Sequence, residues 1–300
     1  MSSSATQATP RQPTEQVRGG PARAMYAYAY DPRPEIVGSD PRRFFALVFT
    51  LAVNDFKLRF FGSVLGYLWS LMRPLLLFGV LYAIFTHVIR FGGDIKFYPV
   101  YLLTAIVMFN FFAEATNRCV TCLLESESLI RKVRFPRLAI PVSVVTSSLL
   151  NFLLALLAVF VFYAAQGVEP QLRWLEMPLL ILVLALFALG CGMLLSVLYV
   201  RFRDVQPIWE VALQVLFYGS PVLYVLTVAP EAFQRKLLAN PIACVLTEMR
   251  HAMIDPTAPD LFESIGSNWN LLVPAGILIG TLALGTYLFA REARTAAERL

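Results

Sequence analysis

Long apolar runs separated by short polar segments dominate the chain from about residue 63 to residue 290. An α-helix needs roughly 20 apolar residues to cross the hydrocarbon core of a bilayer. The alternating apolar and polar pattern of membrane β-barrels is absent. Because lipid offers no partners for backbone polar groups, we predict an all-α integral membrane protein with six transmembrane helices. The predicted spans are 63–89, 97–122, 138–165, 177–200, 204–228 and 269–290.

The segment before the first span, PRRFFALVFTLAVNDFKLRFF at 41–61, is apolar but carries several charges. Too few uncharged residues stand together there to cross a membrane. We predict an amphipathic helix over 41–61 that lies at the cytoplasmic interface with its cations toward the lipid headgroups. A loosely docked lead-in to the first span is the alternative. The charged residues are Arg42, Arg43, Asp55, Lys57 and Arg59.

The segment before the last span, LLANPIACVLTEMRHAMI at 237–254, is apolar but too interrupted to cross. Asn240 followed by Pro241 favours a turn, and the charges of Glu248 and Arg250 are costly at the bilayer centre. We therefore predict two short re-entrant helices within an external loop at 229–268. Such segments are tolerated only where protein or water covers them.

Composition and charge agree with a membrane protein. The 300 residues are 58% hydrophobic and 15% charged, with a mean hydropathy of +0.64, whereas soluble domains carry about 25% charged residues. Seventeen Lys and Arg residues lie on one side of the predicted spans and six on the other. This bias places both termini in the cytoplasm. The net charge of +5 thus reports topology, and no nucleic-acid partner is predicted.

Residues 1–40 are rich in Ser, Pro, Gln, Gly and Ala, and we predict a disordered cytoplasmic tail there. The rest of the chain, 41–300, is predicted to form one transmembrane domain. Cys119 and Cys122 form a C-x-x-C pair, but His87 and His251 are far away in sequence. A metal site needs further ligands nearby, so no metal or cofactor is predicted.

A charged stretch, LLESESLIRKVRFPRLAIP at 123–141, separates the second and third spans on the cytoplasmic side. Ser126 or Ser128 is a suitable helix cap, and Pro136 would end the helix. Between these serines and Pro136, apolar residues alternate with cations, which predicts a short amphipathic helix over 124–135. A membrane anchor needs only the cations, whereas the two preceding glutamates suit docking to another protein. Both interpretations are open from the residues alone.

Four stretches, in order, resemble the permease subunit of type-2 ABC exporters of the polysaccharide and O-antigen branch. They cover the entry to the first span, the charged cytoplasmic stretch, the fifth span and the segment before the sixth. The stretches are FKLRFFGSVLGYLWSLMRPLLL (56–77), ESESLIRKVRFPRLAIPV (125–142), RFRDVQPIWEVALQVLFYGSPVLY (201–224) and NPIACVLTEMRHAMID (240–255). The resemblance implies that 124–135 is a coupling helix docked on an ATPase. Its contact residues would be Glu125, Glu127, Ile130, Arg131 and Lys132.

The same resemblance implies the partners. No G-x-x-x-x-G-K-[ST] loop occurs in the chain, so ATP and Mg²⁺ would bind two copies of a separate ATPase subunit. This chain would form a homodimer in the bacterial inner membrane and would not itself be an enzyme. A lipid-linked polysaccharide would pass between the two permeases, in contact with membrane lipid.

Aromatic side chains suit a sliding sugar chain, because sugar rings stack their C–H faces on aromatic faces while their hydroxyl groups stay wet. Packing in the core or at the membrane interface is the alternative for each residue. The candidates in the first and fifth spans are Tyr67, Trp69, Phe78, Tyr82, Trp209, Phe217, Tyr218 and Tyr224.

Three charges fall within predicted spans, where an ionised side chain is expensive and is normally paired. Glu114 and Arg118 are spaced i, i+4, so they are able to pair on one helix. Arg73 either reaches the cytoplasmic lipid phosphates or binds the anionic head of a lipid-linked substrate.

The residues leave other functions open. The exporter substrate is alternatively teichoic acid, capsule or a small molecule. A proton-coupled secondary transporter using Glu114 is a second alternative, although the repeated halves with broken helices usual in such folds are absent. A membrane-embedded enzyme would need clustered catalytic groups, and no such cluster is visible in the sequence.

Overall fold

The structure is a computed structural model that describes residues 41–60, 64–88, 95–126, 135–266 and 268–299. These residues form helices and connecting turns, in agreement with the predicted all-α class. Short 3₁₀ turns occur at Leu172–Glu176 and Leu226–Val228, and α2 continues into a π-helical turn at Ile84–Val88. The helices are α1 (Pro41–Phe60), α2 (Val64–Ala83), α3 (Tyr98–Glu125), α4 (Ala139–Ala165), α5 (Met177–Arg201), α6 (Val205–Gly219), α7 (Glu231–Leu237), α8 (Pro241–Met253), α9 (Leu261–Ile265) and α10 (Asn268–Arg299).

Five helical segments are long and apolar enough to cross a membrane. They correspond to the first, second, third, fourth and sixth predicted spans. The segments are Leu71–Val88, Tyr98–Glu125, Ala139–Ala165, Leu172–Arg201 and Asn270–Glu292. The helical membrane domain is therefore confirmed, with five candidate crossings rather than six among the described residues.

The predicted fifth span differs because α6 ends early. It has 15 residues, which gives about 22 Å of helix against the ~30 Å hydrocarbon core. Pro221 explains the end of the helix, since a proline disfavours helical geometry in the residue before it. Ser220 accordingly takes an extended conformation, with φ −101° and ψ 155°.

Two tyrosines of α3 satisfy the irregular backbone that follows α6. The Tyr98 hydroxyl donates to the carbonyl of Leu223 at 2.7 Å. The Tyr101 hydroxyl contacts the carbonyls of Pro221 and Tyr224. Non-helical backbone is tolerated at membrane depth only when protein buries and bonds it, and these contacts meet that condition.

The centre of the helical bundle is α3, which packs between α4 and α5 and also contacts α2 and α6. Most of its residues are buried, including Tyr101, Ile106 and Phe112. In turn, α1 packs on α4, and α10 packs on α5. The apolar core thus follows α3 from end to end.

The helix predicted over 41–61 exists as α1, but it runs alongside α4. Leu47 and Val48 pack against Ala139 at the start of α4. The Ser147 hydroxyl, two turns further along α4, donates to Asp55. A helix lying flat at the interface would instead cross a transmembrane helix steeply, so the predicted orientation is not confirmed.

Two short helices, α7 and α8, flank the Asn240–Pro241 turn in the segment predicted as an external loop. The Asn240 side chain caps α8 by accepting a hydrogen bond from the Ile242 amide at 3.0 Å. Nearly all of α8 is buried against α5, α10 and the 172–176 turn. Protein therefore covers α8, as a re-entrant helix requires.

Small residues allow α5 to approach α10 and α3 closely. A Cβ atom on Gly285 of α10 would lie 2.6 Å from the carbonyl oxygen of Gly190. A Cβ atom on Gly192 would lie 2.7 Å from that of Cys119. Glycine lets membrane helices pack backbone to backbone, so these positions set the helix spacing.

We expect Gly285→Ala to destabilise the protein by about 1–3 kcal/mol, because the added methyl group overpacks the crossing of α5 and α10. Gly280→Ala on the same helix is the control, since its Cβ would meet nothing within 4 Å. Alanine favours helix over glycine, so the control should be neutral or slightly stabilising. Thermal unfolding in detergent measures both variants, and equal melting temperatures would contradict the close crossing.

Candidate functional site

A stripe of polar side chains runs along one face of α3. Asn110, Glu114, Asn117 and Arg118 follow one another at helical spacing and line one cavity. The charged pair was expected from the sequence, whereas the two asparagines were missed. Their seven-residue spacing on the face of Glu114 was the available signal.

Two residues of α1 hold the two charges of this stripe. Arg118 pairs with Asp55 at 2.5 Å, and Glu114 pairs with Arg59. Each α3 charge therefore binds a residue of α1, and the predicted pairing of Glu114 with Arg118 is replaced. The reason is geometric, because α1 runs alongside α4 and brings opposite charges directly onto α3.

Side chains of α4 complete both ion pairs. The Ser147 hydroxyl donates to Asp55 at 2.5 Å, and the Asn151 amide donates to the second carboxylate oxygen of Glu114 at 2.8 Å. Asn151 is the thirteenth of 27 residues in α4, so this network reaches the middle of that helix. Paired and hydrogen-bonded charges are the form in which ionised groups are tolerated away from water.

These residues border a cavity of about 610 Å³, which we call the polar cavity. Its walls come from α2, α3, α4 and α6, with Arg59 contributed by α1. Arg73 of α2 and Glu210 of α6 also line it. Both of these side chains are exposed, and neither makes an ion pair with a described residue. The structure thus gathers all three predicted intramembrane charges into one cavity.

The aromatic residues predicted to line a translocation path fall into two groups, those packed against other helices and those exposed at the surface. Trp209 donates its indole N–H to the Thr116 hydroxyl at 3.1 Å, and Phe217 packs edge-on against Phe109. Phe78 stacks on Tyr82 at 5.7 Å between ring centroids.

Three other members of the aromatic set differ in exposure. Tyr224 is packed against the core, whereas Trp69 and Tyr218 are 61% and 66% exposed. The side chain of Tyr67 lies outside the described residues. Most of the described aromatic candidates therefore hold helices together, and Trp69 and Tyr218 remain accessible to other molecules.

The predicted coupling residues lie mostly outside the described part of the chain. Glu127, Ile130, Arg131 and Lys132 fall in 127–134, which the structure does not describe. Glu125 is the last residue of α3, where it is exposed and accepts a hydrogen bond from the Thr121 hydroxyl at 2.7 Å. Helix α3 thus extends three residues beyond its predicted end and carries Glu125.

A second polar cluster lies at the end of α8 and in the turn that follows it. Arg250 approaches Asp255 at 3.8 Å, with side-chain exposures of 13% and 7%. Burial lowers the pKa of the Arg250 guanidinium, while the neighbouring Tyr101 and Asp255 act in the opposite direction. His251 bonds the carbonyl of Ala258 through Nδ1 at 2.6 Å. This cluster anchors the turn after α8 against the bundle.

The cysteine pair packs inside the helix bundle. Cys119 and Cys122 are buried with free thiols, and Cys119 sits against α5 at Gly192. Among the described residues, no group of three His, Cys, Asp or Glu side chains is placed to hold a metal ion.

Charged side chains that line a cavity within a helical membrane domain are typical of membrane transport proteins. A family model described as ABC-2 type transporter matches residues 46–254. The chain therefore belongs to the ABC-2 type transporter family, as the resemblance in its sequence indicated.

Several curated relatives match most of the chain. The O-antigen export system permease protein RfbA of Klebsiella pneumoniae is 31% identical over 81% of this chain and 91% of its own length. RfbA of Myxococcus xanthus is 31% identical over 71% of this chain and 82% of its own length. The polysialic acid transport protein KpsM of Escherichia coli is 26% identical over 81% and 93%, respectively.

We expect Asp55→Ala and Arg118→Ala to be strongly coupled in stability. Each single variant leaves one charge without its partner, so the double variant should cost less than the sum by about 1–3 kcal/mol. Thermal unfolding of the two single variants and the double variant measures this coupling.

The control combines Arg118→Ala with Lys57→Ala, because Lys57 is an exposed cation on α1, the helix that also carries Asp55. These two changes should add within about 0.5 kcal/mol. Additive behaviour of the Asp55 and Arg118 variants would show that the ion pair does not fasten α1 to α3.

Proposed function

We propose that this chain is the membrane-spanning permease of an ATP-driven exporter of a lipid-linked, O-antigen-like polysaccharide. The observation that carries this proposal is the 31% identity to an O-antigen export permease across 91% of that protein. The charged cavity within an otherwise apolar bundle supports a transport role. Export would run from the cytoplasm across the bacterial inner membrane.

The energy would come from a partner subunit. The ABC-2 family implies an ABC ATPase partner, and this chain carries no G-x-x-x-x-G-K-[ST] loop of its own. We infer two ATPase copies, each binding ATP and Mg²⁺, on a homodimer of this chain. The contact would involve Glu125, Glu127, Ile130, Arg131 and Lys132, because α3 leads directly from the polar cavity into that segment.

We infer six crossings from the lengths of the apolar segments, and the charge bias of the loops supports cytoplasmic termini. In this topology α6 and the tyrosine-bonded segment after it together make the fifth crossing. Buried residues such as Val222 and Val225 continue the apolar path beyond Gly219. The re-entrant α8 would then lie on the external side.

The relatives also bear on the choice among other exported substrates. The KpsM match favours capsular polysaccharide as the second candidate, at the lower identity of 26%. A proton-coupled transporter using Glu114 has no support in the geometry, since Glu114 is held in an ion pair with Arg59.

Loss of the chain should abolish display of the polymer at the cell surface. Cells without it should accumulate the lipid-linked polysaccharide on the cytoplasmic side, because synthesis continues while export stops. Surface staining with and without permeabilisation measures the two pools. Normal surface display in the deletion strain would reject the export function.

The ATPase partner should be retained through the cytoplasmic segment. A variant carrying Glu125→Ala, Glu127→Ala and Arg131→Ala should lose at least tenfold of the ATPase that copurifies in mild detergent, because truncating buried interface charges costs ~2 kcal/mol or more. Mass spectrometry of the copurified chains provides the measurement.

The matched control also replaces two glutamates and one arginine. Glu169→Ala, Arg173→Ala and Glu176→Ala change the segment between α4 and α5. This segment follows the end of α4, whereas the proposed coupling segment precedes its start. This variant should retain the ATPase fully. Equal loss from both variants, or no ATPase with the unaltered chain, would overturn the assignment.

A further inference from the structure

Two charges that line the polar cavity have no partner within the described part of the chain. Arg73 of α2 and Glu210 of α6 both line it with exposed side chains. Neither side chain makes an ion pair or a hydrogen bond with another described residue. The charges of Glu114 and Arg118, by contrast, are held by α1. Ionised groups in a membrane domain are normally paired, so Arg73 and Glu210 point to a partner from outside the chain.

The two charges stand on different walls of the cavity. Helices α2 and α6 both pack on α3, with no substantial contact between their own described residues. The cavity of about 610 Å³ has the size of a site for a small molecule or a headgroup. Gln214, one turn beyond Glu210, is also exposed and lines it. A group that enters between α2 and α6 therefore reaches one cation, one anion and one amide.

The charges around the cavity add to zero, which restricts the charge of its ligand. Three arginines line it, and they are matched by two lining glutamates together with Asp55, which pairs with Arg118. A purely anionic group would gain Arg73 but would also face the carboxylate of Glu210. A zwitterion satisfies both, because a guanidinium binds phosphate through two N–H donors and a carboxylate accepts from an ammonium.

Arg73 is followed along α2 by an exposed apolar stripe. It is the third residue of the candidate span Leu71–Val88, which places it close to the level of the lipid headgroups. Exposed apolar side chains follow at i+3, i+7 and i+11, so they share its face of the helix. They are Leu76, Val80 and Ile84. A cation at the end of a span, continued by an apolar stripe, fits an amphiphile whose chain runs along α2.

Helix α6 runs in the same direction as α2 and offers a second apolar surface. Trp209 bonds to Thr116 of α3, and Phe217, two turns later, packs on Phe109, so α6 is antiparallel to α3. Helix α2 is also antiparallel to α3, because only the nine residues 89–97 join their ends. The exposed apolar side chains of α6 beyond Glu210 are Val211, Val215 and Tyr218. Both helices thus lead from the charged end toward apolar surface.

We propose that the polar cavity holds the headgroup of a zwitterionic phospholipid with a primary ammonium group, of the phosphatidylethanolamine type. Arg73 binds the phosphate, Glu210 accepts hydrogen bonds from the ammonium, and the acyl chains lie along the exposed sides of α2 and α6. This lipid is a resident of the site and is not the exported cargo. The inference goes beyond the proposed export function and does not depend on it.

Lipid titration of the full-length protein, stripped of lipid in mild detergent, tests the proposal. Native mass spectrometry measures binding of phosphatidylethanolamine, phosphatidylcholine and phosphatidylglycerol that share the same acyl chains. Phosphatidylethanolamine should bind at least about fivefold more tightly than phosphatidylglycerol, which has no cation for Glu210. Phosphatidylcholine should lie between them, because its quaternary ammonium has no N–H to donate. Tightest binding of phosphatidylglycerol, or equal binding of phosphatidylcholine and phosphatidylethanolamine, would overturn the proposal.

Variants of the two charges separate their roles. Glu210→Gln should reduce binding of phosphatidylethanolamine to the level of phosphatidylcholine, because the anionic acceptor is lost. Arg73→Gln should weaken all three lipids, because each contains the phosphate. The controls Arg203→Gln and Glu169→Gln change exposed charges that do not line the cavity, and they should keep the unaltered preference. An unchanged lipid preference in a folded Glu210→Gln protein would contradict the assignment.

A direct ion pair between Arg73 and Glu210 is the rival explanation. In protein stripped of lipid, our proposal predicts that Arg73→Gln and Glu210→Gln have additive effects on the melting temperature. A direct pair would make the double variant markedly less destabilised than the sum of the two single variants. That result would overturn the lipid site, and the same melting curves report whether each variant is folded.

Discussion

Two ion pairs between α1 and α3 organise one half of the bundle. Asp55 and Arg59 of α1 neutralise Arg118 and Glu114 of α3, and Ser147 and Asn151 of α4 bond to the same carboxylates. An unpaired charge would be costly at this depth. These pairs hold α1 alongside α4, and this position allows Arg59 to reach the polar cavity.

In the other half of the bundle, neutral side chains supply the partners that buried polar groups need. After α6 ends at Gly219, the hydroxyl groups of Tyr98 and Tyr101 bond to the free carbonyls of the irregular segment. Burial of α8 under the bundle and the capping of α8 by Asn240 complete this region. Backbone that leaves the helical geometry is thus covered by protein throughout this part of the chain.

Between these regions lies a cavity with charges of both signs in equal number. Membership in the ABC-2 family implies that an ATPase partner supplies the energy. The helix that forms one wall of the cavity, α3, ends at Glu125, directly before the proposed coupling segment. A movement at that segment therefore has a continuous helical route, along α3, from the proposed ATPase contact to the polar cavity.

The amino-acid sequence by itself determined the helical membrane class, five spans and the turn before α8, because span length and proline position act locally. It also identified Arg73, Glu114 and Arg118 as functional candidates, since charges are rare in lipid. The early end of α6 was missed, although the Ser220–Pro221 pair was a visible signal. The ion-pair partners, the direction of α1 and the place of Asn117 in the cavity were decided by tertiary structure alone. These features depend on contacts between residues far apart in the chain, and helical periodicity does not specify which helix each polar face meets.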